Sequence, residues 1–148
     1  MVERKLAEQA MRESESKFKS YTQNSNIAIY TTDAHGKCTY ANEKWLEIAG
    51  MTLDEALGDG WINALHPDDR NIIGKKWYKS VKSKGKWSYE YRFLKTNETI
   101  TWVEGTAKAM YNDDGKIIGY LGSNLDITER KKSEIELVKA KEKAEEAD

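Results

Sequence analysis

At 148 residues the chain is long enough for one domain with a self-sufficient core. Twenty-four Lys and Arg against 25 Asp and Glu leave a formal charge of −1, which argues against the broad basic field that holds nucleic acid. Cys38 is the only cysteine, so an intrachain disulfide and a cysteine-rich zinc site are excluded, and His35 and His66 cannot form a metal site alone.

Residues 3 to about 20 lack Gly and Pro, and Ala7, Met11, Ser14, Phe18 and Tyr21 recur at spacings of four and three, which predicts an amphipathic helix over residues 1–20. AIYTTD and KCTYAN flank Ala34-His35-Gly36 and predict a hairpin. EKWLEIAG, LDEALG and PDDRNIIGKKWYKSVK have helical spacing; Pro67 suits a first helical turn, and Asp68 and Asp69 suit the positive end of the helix dipole. WSYEYRFL, ITWVEGTAKAMY and KIIGYLGSNLDI predict three longer strands, with turns at Thr96-Asn97-Glu98 and Asn112-Asp113-Asp114-Gly115. From Thr128 to Asp148 the chain reads as a charged helix in which Ser133, Leu137, Ala140, Ala144 and Ala147 form a short heptad-like seam. That seam fits a coiled coil with a partner helix or a solvated single helix. No window reaches roughly 18 apolar residues, so no membrane span or signal peptide is expected, and the segment reads as cytoplasmic. Two strands, several short helices and three strands specify an α+β domain on an antiparallel sheet.

This order resembles a PAS domain, a small sensory module of bacterial and archaeal signalling proteins. The likeness covers about residues 15 to 130 and lies in the subgroup with a Trp followed by HPDDR, here WINALHPDDR, and with a C-terminal DIT, here Asp126, Ile127 and Thr128. It implies a five-stranded sheet in the order 2-1-5-4-3, helices over one face, and flanking terminal helices around a sensory core of residues 21–127.

In WSYEYRFL, alternation sets Trp87, Tyr89, Tyr91 and Phe93 on one face and Glu90 and Arg92 on the other. Similarity to the flavin-binding light-oxygen-voltage branch picks out Arg92, Trp102, Glu104 and Asn124 as pocket positions. It thereby places Glu90, Arg92, Trp102, Glu104, Thr106 and Asn124 on the concave side beneath the helices. The aromatic face, with Val103, Ala107, Leu121 and Leu125, is then expected under the N-terminal helix or a second subunit. Glu90, Arg92 and Glu104 fit either a self-satisfied ionic network or ligand contacts. Trp45, Trp61 and Trp77 read as core, and Trp77 is also a pocket candidate. Ligand identity stays open, but covalent flavin is not expected, because Cys38 falls in the second strand, nor is haem, because residues 68–82 hold no histidine.

Asp126 and Glu129 have the D-x-x-E spacing of a capping box, with Thr128 as an overlapping cap, so the last strand ends by nucleating the exit helix. In the family the match to Asp126, Ile127 and Thr128 couples core to output helix. The resulting expectation is a non-catalytic sensory and dimerisation module of a signalling protein, a sensor histidine kinase or a cyclic-dinucleotide cyclase, with the effector fused or downstream. The alternative is a small-ligand carrier or minor enzyme using the polar face. A homodimer is expected through Ala7, Met11, Ser14, Phe18, Tyr89, Tyr91, Leu121 and Leu137; no catalytic or metal residue is assigned.

Overall fold

The computed structural model describes residues 2–147; Met1 and Asp148, the outermost residues of the two expected terminal helices, lie outside the described residues. In chain order the elements are α1 (Val2–Gln23), β1 (Ala28–Asp33), β2 (Cys38–Ala41), α2 (Glu43–Ala49), α3 (Leu53–Ala56), a 3-10 helix (Gly60–Ala64), α4 (Pro67–Ser83), β3 (Trp87–Leu94), β4 (Ile100–Tyr111), β5 (Ile117–Asp126) and α5 (Thr128–Ala147). The strands form one antiparallel sheet in the order β2-β1-β5-β4-β3.

Local chemistry explains the short helices. Asn42, fully buried, caps α2 by accepting the Trp45 N–H at 3.0 Å, and the same oxygen accepts the Ile29 N–H at 2.9 Å. Its amide donates to the carbonyls of Thr22 (2.7 Å) and Ile27 (2.9 Å), so one side chain ties the end of α1 to β1 and α2. Thr52 and Glu55 form a reciprocal capping box at α3. The imidazole Nδ1 of His66 accepts the Asp68 N–H at 3.1 Å to open α4, where Pro67 occupies a first-turn position that needs no N–H. At the β1–β2 turn, Gly36 has φ +83°, and a side chain there would press on Trp77, whose indole N–H donates to the Gly36 carbonyl at 2.9 Å.

The core lies between the sheet and α2, the 3-10 helix and α4. Trp77 meets Tyr30, Trp61, Trp87 and Tyr120 edge-on at centroid distances of 6.2, 6.3, 5.2 and 5.7 Å, while Trp45 meets Phe93 at 5.6 Å. Trp87, Tyr91 and Phe93 are therefore beneath the helices, and the face assignment carried over from the flavin-binding branch is reversed for β3 and β4. Burying these large rings gains far more than burying Glu90 and Arg92 could, since each charge would need a partner inside. The register also shows why the expected set could not share one face. Directly paired residues point to the same side, and Asn124 pairs with Gly105, which pairs with Tyr89; Glu104 pairs instead with Glu90 and Leu125. Asn124 therefore faces inward with Val103, while Glu90, Arg92, Trp102, Glu104 and Thr106 face outward with Leu121 and Leu125.

Helix α1 touches the sheet only through its last turns: Phe18 lies edge-on to Tyr40 at 6.1 Å, and the Thr22 and Tyr40 hydroxyls are 3.2 Å apart. Val2 through Lys17 are exposed, as are Lys132 through Ala147 of α5.

Candidate functional site

Two features concentrate the polar chemistry of the domain. The first is an internal cavity with aromatic walls, formed by Tyr30, Trp45, Trp61, Trp77, Trp87, Tyr91 and Phe93, with Thr32, Cys38 and Asn124 completing the lining. Its free volume is about 20 Å³, room for one water-sized molecule. The cavity stays small because two tyrosine rings lie flat on the sheet, Tyr91 over Gly105 and Tyr30 over Gly122, and a side chain at either glycine would collide with them. Asn124, 1 % exposed, donates from Nδ2 to the Tyr91 hydroxyl at 3.0 Å, while its Oδ1 and the Trp87 indole N–H have no partner among the described residues. Burial pushes the Tyr91 phenol up to about 12 and the Cys38 thiol up to about 11, so both are protonated at neutral pH.

The second feature is the junction between β5 and α5. The Ile127 N–H donates to the Trp102 carbonyl at 2.8 Å, extending the β4–β5 ladder past the end of the strand. The Thr128 hydroxyl accepts the Trp102 N–H at 3.0 Å and donates to Asp126 Oδ1 at 2.6 Å; that carboxylate oxygen also accepts the Thr128 N–H at 2.9 Å. Asp126 and Thr128 thus start the helix as a linked pair bonded to β4. The expected reciprocal bond from Glu129 does not form. Its side chain, 92 % exposed, lies 3.7 Å from Lys132, and Asp126 spends its oxygen on Thr128 in place of a third-residue N–H.

The outward residues of β3 and β4 join this junction. Arg130 reaches Glu90 at 3.0 Å and Glu104 at 3.5 Å, and Lys131 pairs with Glu90. The Lys131 hydrogen bond holds the Glu90 carboxyl below its ordinary range. Lys131 and Arg92 both stand over the Trp102 ring, at 5.1 and 5.3 Å from its centre. Arg92 does not make the pairs with Glu90 and Glu104 that the strand spacing suggests. Its Nε and Nη2 donate to Asp69 at 3.1 and 2.7 Å, and its backbone N–H donates to the same carboxylate at 2.9 Å. Burial raises the Asp69 carboxyl, but the Arg92 bonds outweigh that and leave it below its usual value. A continuous polar path therefore runs from Asp69 in the first turn of α4 through Arg92 and Trp102 to Lys131 in the first turn of α5.

Of the expected pocket residues, Asn124 and Trp77 line the cavity, while Glu90, Arg92, Trp102, Glu104 and Thr106 lie on the opposite face; Thr106 contacts Ser123 at 3.1 Å. Of the expected interface residues, Tyr91 is 4 % exposed and closed off by the core. Tyr89 packs on Trp87 at 4.6 Å under Lys76, on the face opposite Leu121, so the two cannot belong to one sheet-face contact. Ala7, Met11, Ser14 and Leu137 are exposed, and Phe18 is half-buried against Tyr40. Asp69, Arg130 and Lys131 were not foreseen as site residues. The signal for the last two was a pair of cations placed one turn beyond a strand end opposite two outward glutamates.

Comparison with known proteins agrees with this geometry. A family model described as PAS fold matches residues 39–124. Sporulation kinase C of Bacillus subtilis is 31 % identical over 144 residues, covering 90 % of this chain and 32 % of that protein. An uncharacterised Sinorhizobium fredii protein, y4lL, is 35 % identical over 133 residues, covering 90 % of this chain and 16 % of its own length. The chain thus spans a third or less of these relatives. A solved PAS domain from Colwellia psychrerythraea superposes with a TM-score of 0.61 at 29 % identity, covering 77 % of this chain and 97 % of that one. With its sheet order, its helical layer and the family match over most of the core, the chain belongs to the PAS fold family.

Proposed function

We propose that this PAS domain is the sensory and dimerisation input module of a cytoplasmic signal-transduction protein, a sensor histidine kinase, and that core changes reach an effector through Asp126–Thr128 and α5. The observation that carries this reading is the Trp102–Thr128–Asp126 bond set, which makes the start of α5 depend on the relative position of β4 and β5. A strand shift of about 1 Å takes such bonds beyond their effective length. Among the described residues no helix is long and apolar enough to cross a membrane. Dimerisation draws support from the exposed stripe of α1 and from Leu121 and Leu125, 38 % and 53 % exposed on the outward sheet face.

The test fuses a histidine kinase catalytic region after Asp148 and compares Asp126→Ala with Lys132→Ala. Asp126→Ala is expected to stay folded while kinase output stops following the state of the core; Lys132→Ala, at a side chain 65 % exposed, keeps regulation. Equal regulation by both folded variants would reduce the Asp126 bonds to a local helix cap.

A further inference from the structure

Residues 70–89 carry Arg70 and Lys75, Lys76, Lys79, Lys82, Lys84 and Lys86 with no Asp or Glu, a charge of +7 inside a chain whose total is −1. All six lysines are exposed, and none forms an ion pair among the described residues. Ile73, Gly74 and Trp77 bury the opposite face of α4, so Lys75, Lys79 and Lys82 run along its solvent side at spacings of four and three. The helix dipole accounts for Lys82 in the last turn, but not for Lys75 and Lys76 near the middle.

The chemistry of this face narrows its partner. It is the convex side of one helix and forms no groove. Its charges are flexible ammonium groups without the bidentate geometry that reads a fixed phosphate. The rings beside this face already carry cations, Lys76 over Tyr89 at 4.8 Å and Lys37 over Tyr78 at 5.1 Å, which disfavours stacking on a base. Ile72, 56 % exposed, is the one large apolar side chain of α4 on this side, too little for the buried anchor cluster of a protein interface. A diffuse anionic plane needs only such an array of lysines. We infer that the α4 face is an electrostatic docking surface for an anionic lipid bilayer. Docking there leaves α5 and the outward sheet face free, because Arg130 and Lys131 lie across the sheet from α4.

Vesicles of phosphatidylcholine alone and with about a third phosphatidylglycerol, sedimented with the protein at low salt, test it. Binding is expected only to the anionic vesicles, with loss at high salt. Lys75→Gln/Lys79→Gln/Lys82→Gln should weaken it about a hundredfold, from roughly fivefold per lysine at a charged surface. The matched variant Lys139→Gln/Lys141→Gln/Lys143→Gln on α5 should bind as wild type, circular dichroism confirming that both are folded. No binding to anionic vesicles, equal weakening by the two triple variants, or capture of duplex DNA in preference to the vesicles would each overturn the assignment.

Discussion

Arg92→Ala probes the pair that anchors α4 to the sheet. The substitution removes two guanidinium hydrogen bonds to Asp69 and the cation over Trp102, but leaves the backbone N–H of residue 92 on that carboxylate. The two side chains are 24 % and 18 % exposed, so solvent screens the pair only partly. Breaking a fully buried ion pair costs about 3–5 kcal/mol, and a hydrogen bond to a charged group contributes about 1.5–3 kcal/mol. The retained backbone bond and residual exposure place Arg92→Ala at about 2–3 kcal/mol, a fall in Tm of roughly 5–10 °C for a domain of this size. The pH dependence follows from the depressed Asp69 carboxyl: its contribution is complete above the ordinary value of 3.8 and is lost as pH falls through the lower folded-state value. Thermal unfolding at about pH 7 should therefore separate wild type from Arg92→Ala, and in urea unfolding the difference should shrink progressively as pH is taken further below 3.8. Tyr21→Ala, at a side chain 74 % exposed, should change stability by no more than about 0.5 kcal/mol. A fall for Arg92→Ala no larger than that of Tyr21→Ala, or a difference that persists undiminished in acid, would show that the pair does not hold α4 in place.

Deleting residues 1–20 should convert the proposed dimer to monomer at micromolar concentration by light scattering, because the exposed stripe Ala7, Met11 and Ser14 goes with them; an unchanged mass would move the contact elsewhere. Cys38, 6 % exposed with its thiol pushed up to about 11 by burial, should resist an aromatic disulfide reagent at neutral pH until the protein is unfolded. Rapid stoichiometric modification of the folded protein would contradict the burial of the Cys38 thiol.

The strands and helices were legible because each break carries its own chemistry: Gly36 at one turn, Asn112 to Gly115 at another, Pro67 at a helix start. The sheet order came from family likeness, since nothing local tells β1 to pair with β5. Asp126 and Thr128 were legible as a cap because both partners lie within three residues, whereas the Trp102 N–H that completes the site is 26 residues away. Alternation in WSYEYRFL split β3 into its two rows correctly. Which row faced inward depended on Trp45 and Trp77 from α2 and α4, and positions borrowed from a flavin-binding branch pointed the other way. The same blindness to distance hid Asn42, whose three backbone partners beyond its own helix come from α1, β1 and the segment between them. It also hid Asp69, whose carboxylate suited a helix dipole but is taken by an arginine 23 residues on.

Gly105 connects the cavity to the junction. The Tyr91 ring lies on it, Tyr91 holds the Asn124 amide, and Asn124 stands two residues before Asp126 on β5. Gly105→Ala puts a methyl group where the Tyr91 hydroxyl sits, against β4 itself, so the ring must move and the bond to Asn124 must lengthen. Overpacking of this kind costs about 1–3 kcal/mol. In the proposed reading it does more, because a displaced Asn124 pulls β5 relative to β4 across bonds only 2.8 and 3.0 Å long. Gly105→Ala in the kinase fusion should therefore lock output in one state while remaining folded. Tyr91→Phe, which keeps the ring and removes the Asn124 bond, should reproduce part of the effect without overpacking. A Gly105→Ala protein as stable as wild type would mean that Tyr91 yields without cost. Destabilisation by both variants with output still regulated would confine Tyr91 and Asn124 to packing and leave the junction without an input from the cavity.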